Sequence, residues 1–148
     1  MSGFQFPAVA VMITLAIICF SMCACVHPNL VEPGSPRQGE VETSVVRAYF
    51  SAINAKNQAA LANLLAENVQ VMAGHNSWGK ATELTNRVEW WTRDPTYSVE
   101  IKSIALQGGV VRVRVMVTYV SHGSIGRQEI ENTFKVQNRQ IVQAILSP

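Results

Sequence analysis

VVRAYFSAINAKNQAALANLLAENVQVMAG, residues 45–74, contains the change of period on which the fold turns. Val41, Val45, Ala48, Tyr49, Ala52 and Ile53 recur at spacings of three and four, which makes one apolar stripe on a helix. Asn54-Ala55 breaks the stripe, and Asn57 then stands where its side chain can cap a second, short helix expected over 58–67. Ala60, Leu61, Leu64 and Leu65 form the inner face of that helix. At Asn68 the period drops to two, and the alternation over 68–73 predicts a strand.

Downstream, 74–79 reads as a loop and 80–93 as a third helix carrying Leu84, Val88, Trp90 and Trp91, stopped by Pro95. Beyond Thr96 the pattern is extended. Strands are expected over 97–106, 110–120, 128–136 and 140–146, with a two-glycine turn at Gly108-Gly109 and further turns over 121–126 and 137–139. Val111, Val113, Val115, Val117 and Tyr119 share one face of their strand, against Arg112, Arg114, Met116 and Thr118 on the other. Ile130, Asn132, Phe134 and Val136 likewise oppose Glu129, Glu131 and Lys135. Three helices followed by a run of strands is an α+β layout, with helices packed on one face of a curved, mostly antiparallel sheet.

Upstream, residues 1–26 contain no Lys, Arg, Asp or Glu, and from Pro7 to Val26 they are almost wholly apolar. Met22-Cys23-Ala24 before Cys25 resembles a bacterial lipobox that closes a secretory signal. This expectation makes 1–25 a lipoprotein-type signal, Cys25 the lipidated residue and the membrane the first partner. A run of that length also suits an uncleaved single-span anchor. Residues 26–38, with Pro28, Pro33 and Pro36, form a semi-stiff linker, and 39–148 form the domain, held in the cell envelope on the periplasmic or external side.

Removing 1–25 leaves about 120 of the 148 residues, enough for one domain with one core. A net charge of +2 gives no nucleic-acid footprint. Cys19, Cys23 and Cys25 all precede the domain, so 39–148 holds no internal disulfide, thiolate nucleophile or Cys-based zinc site. His27, His75 and His122 follow no metal-ligand spacing, and neither a metal nor a cofactor is expected.

The aromatic pair Tyr49-Phe50, the Asn54-Ala55 break, Leu61, Leu64-Leu65, the alternating strand after them, Gly79-Lys80 and the closing FKVQNRQIVQAIL stand in an order that resembles the nuclear-transport-factor-2-like superfamily. That superfamily includes ketosteroid isomerases, scytalone dehydratase, SnoaL-type polyketide cyclases and many non-catalytic binding domains. The resemblance covers about 41–147. It implies a cone-shaped fold, a bent sheet around helices with an apolar pocket between them. It also places Tyr49 where the isomerases have a tyrosine that donates to an oxyanion. Their Asp base falls near Ala73 and their protonated late-strand Asp at Asn132, while the single Asp of this sequence is Asp94. The isomerase's base is therefore missing, and proton abstraction needs a positioned one.

The pocket expected from these residues involves Tyr49, Met72, His75, Trp78, Trp90, Asn132 and Phe134. His75 reads either as a general base with Glu83 or as a solvated loop histidine beside an exposed helix glutamate. The three tryptophans read as a pocket lining for a flat apolar ligand or as core. Trp90 and Trp91 point about 100° apart on a helix, so one of them is partly exposed or covered by a partner. Tyr49 and Asn132 are expected to face one cavity, with Tyr49, water or ligand satisfying the Asn132 amide. Arg112 and Arg114 with Glu129 and Glu131 make a solvated sheet face or a homodimer surface. The function expected is a membrane-tethered, non-catalytic domain that binds a small apolar ligand or an envelope protein. The alternative is a SnoaL-like cyclase, dehydratase or isomerase-type enzyme working through Tyr49, His75 and Asn132.

Overall fold

The computed structural model describes residues 38–147. The expected signal, its Cys25 and all of the linker except Gln38 lie outside the described residues. Three helices and one six-stranded sheet make up this part, in the order α1 (Gln38–Asn54), α2 (Gln58–Leu64), β1 (Leu65–Ala73), β2 (Asn76–Trp78), α3 (Lys80–Arg93), β3 (Ser98–Gln107), β4 (Val110–Ser121), β5 (Ser124–Gln137) and β6 (Gln140–Leu146). The sheet order is β2-β1-β6-β5-β4-β3. β1 and β6 run parallel and every other pair antiparallel, so the expected α+β, mostly antiparallel layout is present.

Helix α2 is shorter than 58–67. Asn57 caps it as expected, its side chain accepting from Ala60 N. It ends at Leu64 because Leu65 is already extended and pairs with Ile141 of β6. Leu65 is fully buried there, and sheet pairing with that burial overrides the helix propensity of Leu-Ala-Glu. Part of the expected 74–79 loop is strand β2, which folds back on β1 after Gly74, at φ 59°. The turn expected over 121–126 contracts to His122-Gly123, whose φ values of 50° and 77° suit a tight hairpin, so β5 begins at Ser124. Gly126 is tolerated in this strand because Tyr119 lies across it: a Cβ there would come within 2.8 Å of the Tyr119 ring.

The valines of β4 at 111, 113 and 115 are wholly buried, as are Phe134 and Ile141 opposite α1. Tyr49 and Phe50 of α1 and Phe134 of β5 pack as three mutually tilted rings with centroids 5.3–5.7 Å apart. Two side chains fasten helices to sheet by imitating a strand partner. Asn54 donates to Val99 O at 2.7 Å and accepts from Val99 N at 2.8 Å. Asp94 accepts from Thr96 N, Thr96 Oγ1 and Val120 N at 2.6–2.9 Å, fixing the end of α3 to the end of β4.

On the outer face Arg112 pairs with Glu131 and Arg114 with Glu129, at 3.5 and 3.3 Å. Both are diagonal cross-strand pairs about half exposed, a geometry that contributes under about 1 kcal/mol each. No helix among the described residues is long and apolar enough to cross a membrane.

Candidate functional site

A cavity of about 370 Å³ opens between the C-terminal half of α1, helix α3 and the inner face at one end of the sheet. Its size falls in the range of small-ligand sites. Phe50 and Ile53 from α1 and Val99, Val115, Val117 and Ile130 from the sheet form smooth apolar walls. Trp78, Trp90, Tyr97 and Tyr119 add aromatic surface, with the Trp90 and Tyr97 rings 5.8 Å apart and Trp90 half exposed. Trp91, next along the helix, turns into the core, which resolves the tryptophan pair as their angular separation requires.

One wall is polar. Glu83, only 1% exposed, receives Tyr49 OH on Oε1 at 3.0 Å, Arg87 Nε on the same oxygen at 2.7 Å and Trp78 Nε1 on Oε2 at 2.8 Å. Arg87 Nη2 in turn donates to the Tyr49 hydroxyl at 3.2 Å. The arrangement follows from local structure: Glu83 and Arg87 are one turn apart on α3, Tyr49 faces them from α1, and the β1–β2 hairpin carries Trp78 alongside. Burial pushes the Tyr49 phenol well above its ordinary pKa, the Glu83 carboxylate adds to that, and Arg87 opposes it. For Arg87, burial works against the charge, but neighbouring Tyr49 and Glu83 more than offset it and the shift is upward. Thus the phenol stays protonated and the guanidinium charged.

Asn132 of β5, 3% exposed, also lines the cavity. Its Oδ1 accepts from Ser147 N at 3.0 Å. Because a backbone N–H only donates, the atom facing it must be the amide oxygen. The Asn132 NH2 is thereby turned away from Ser147, and it has no hydrogen-bond partner among the described residues.

Of the residues expected in the pocket, Tyr49, Trp78, Trp90 and Asn132 line the cavity. Met72, His75 and Phe134 do not: Met72 has the opposite strand parity to inward Val71, His75 is exposed in the turn after β1, and Phe134 is sealed behind the Tyr49 ring. Of the partners expected for the Asn132 amide, Tyr49 does not serve: its hydroxyl is taken up by Glu83 and Arg87, and Asn132 Oδ1 bonds the backbone N–H of Ser147. Glu83, read either as the partner of a His75 base or as an exposed helix glutamate, is instead the buried centre of the polar wall. Its spacing to Arg87 was the available signal. On an amphipathic helix, however, a Glu–Arg pair one turn apart ordinarily marks the solvent side. Among the described residues no cluster of His, Cys, Asp or Glu is arranged to hold a metal ion.

No protein-family model matches the chain, and no curated protein matches its sequence. Solved structures do. An LEH-like epoxide hydrolase of M. tuberculosis superposes with a TM-score of 0.67 at 14% identity, over 75% of this chain and 84% of its own. A candidate ketosteroid isomerase from Kribbella flavida gives 0.64 at 19% identity, over 74% and 78%. A candidate polyketide cyclase from Sinorhizobium meliloti gives 0.62 at 20% identity, over 70% and 93%. At these identities the likeness is one of fold. The three helices packed on a six-stranded, mostly antiparallel sheet are the nuclear-transport-factor-2-like fold shared with SnoaL-like and ketosteroid-isomerase-like proteins.

Proposed function

We propose that the cavity binds a small, mostly apolar ligand bearing a hydrogen-bond acceptor, without transforming it. The observation that carries this reading is the engagement of Glu83. It is the one carboxylate among the described cavity-lining residues, and three donors hold it, leaving no free base poised over the cavity. The Asn132 NH2 is the handle for the acceptor group, since Asn132 lines the cavity and this donor has no protein partner among the described residues, so a ligand acceptor can take the place of water on it. Catalysis is a second reading, favoured by the meeting of a phenol, a carboxylate and a guanidinium in one wall and by solved neighbours described as a hydrolase, an isomerase and a cyclase. A mixed-metabolite pool incubated with the protein, then analysed by mass spectrometry in both bound and free fractions, separates the two. Retention of unchanged apolar molecules, lost in Asn132→Leu, supports binding. Conversion that disappears in Glu83→Gln refutes it in favour of an enzyme.

We further propose that Cys25 tethers the domain to the cell envelope by an acyl anchor. The support is the uncharged apolar run that ends at this cysteine and the proline-rich stretch after it. Cys25→Ser should release the protein from the membrane or leave an unprocessed precursor. An unacylated mature chain beginning at Met1 would overturn this.

A further inference from the structure

We infer that the cavity selects ligands by charge, accepting uncharged molecules with a carbonyl- or ether-type oxygen and excluding carboxylates and amines of the same shape. This inference rests on the ligand-binding reading and specifies its ligand class. Glu83 and Arg87 are the only charged residues among the described cavity-lining residues, and they form an ion pair at 2.7 Å with side-chain exposures of 1% and 14%. The polar wall is therefore electrically neutral. No cationic side chain is left over to balance an incoming carboxylate, and no anionic one to balance an ammonium group. An ion brought into such a place loses its water without an uncommitted countercharge, and that desolvation penalty is large.

Arg87 nevertheless lines the cavity with donor capacity to spare. Its Nε holds Glu83 and one Nη2 hydrogen goes to Tyr49, which leaves Nη1 without a partner among the described residues. A neutral oxygen can take a charge-assisted hydrogen bond there without disturbing the balance, because Glu83 already compensates the guanidinium. A carboxylate at the same place makes two negative groups share one guanidinium. An ammonium group meets that guanidinium head-on. Only the uncharged acceptor gains the hydrogen bond with no electrostatic cost. Arg87 is in this sense the specificity-determining residue, and Glu83 the residue that sets what it selects.

The test uses three probes of one shape: a naphthyl methyl ketone, naphthoate and naphthylmethylammonium. Each is titrated calorimetrically into the full chain at neutral pH, with titration into protein-free buffer as the blank. The ketone should bind, and both ions should bind at least about tenfold more weakly. Glu83→Gln leaves Arg87 uncompensated and should raise the affinity for naphthoate relative to the ketone. Arg87→Gln leaves Glu83 uncompensated and should do the same for the ammonium. If the wild-type chain takes naphthoate or the ammonium as tightly as the ketone, charge selection is wrong while ligand binding stands. If none of the three binds, the ligand-binding reading fails and this inference with it. Unchanged ratios in folded variants also overturn it, and should the variants not fold, the wild-type ratios alone decide.

Discussion

Tyr49 sits on the apolar stripe of α1, with its ring packed between Phe50 and Phe134 and its hydroxyl held in the polar wall. The ring and the hydroxyl do separate jobs, and Tyr49→Phe isolates the second. That change leaves the stacked rings in place but removes a donor to Glu83 and an acceptor for Arg87, so stability should fall by about 1–3 kcal/mol in urea unfolding. Glu83→Ala is harsher, because it strands a buried guanidinium, and about 3–5 kcal/mol is expected. A Tyr49→Phe protein as stable as wild type would mean the wall contributes nothing to the fold. The inward placement of Tyr49 was legible from helical spacing, and that of Asn132 from strand alternation, since each periodicity assigns a residue to a face. The burial of Glu83 was not legible. A charged side chain on a helix is ordinarily exposed unless paired, and its partners come from α1 and the β1–β2 hairpin, which no pattern within α3 records.

At the scale of elements, α3 shows how a helix flanking the cavity is held in place. Gly79 precedes it without a side-chain cap, and its far end is secured by Asp94, which reaches across to Val120 of β4. Hydrogen bonds from the Thr96 hydroxyl, then from Val120 N–H, lower the Asp94 pKa below its ordinary value of 3.8. A depressed carboxylate pKa means the unfolded chain takes up the proton more readily. Its stabilising contribution is therefore complete above 3.8 and is lost as pH falls below it. Wild type should thus exceed Asp94→Asn in melting temperature near neutral pH, and the gap should close as pH falls below 3.8. A gap of constant size across that range would show that the ionised carboxylate is not what matters. The limits of α3 and β6 agreed with the sequence because Gly79, Pro95 and the Asn138-Arg139 turn mark them locally. The α2–β1 boundary was misplaced because Leu65 becomes extended through pairing with Ile141, more than seventy residues further on.

For the whole molecule, the parallel pairing of β1 with β6 closes the fold. Alternation revealed that both are strands but not that they are neighbours, because periodicity assigns faces and is silent on register with a distant segment. Since β6 lies between β1 and β5, the first strand has no route into the main sheet until the last has been added. The core draws on α1, α2, α3 and five of the strands, so there is no smaller piece with a complete apolar interior. Residues 39–148 should therefore unfold as one cooperative unit, with the same midpoint by circular dichroism and by tryptophan fluorescence. A fragment that ends before Gln140 should fail to fold, since β1 and β5 would then both expose an unpaired edge. Reductant should leave the melting temperature of 39–148 unchanged, because Cys19, Cys23 and Cys25 all precede it and no disulfide can form within it. Two separate transitions, or a stable fragment lacking β6, would mean that the helices and the first strand form a folding unit of their own and that the parallel pair is not what completes the domain.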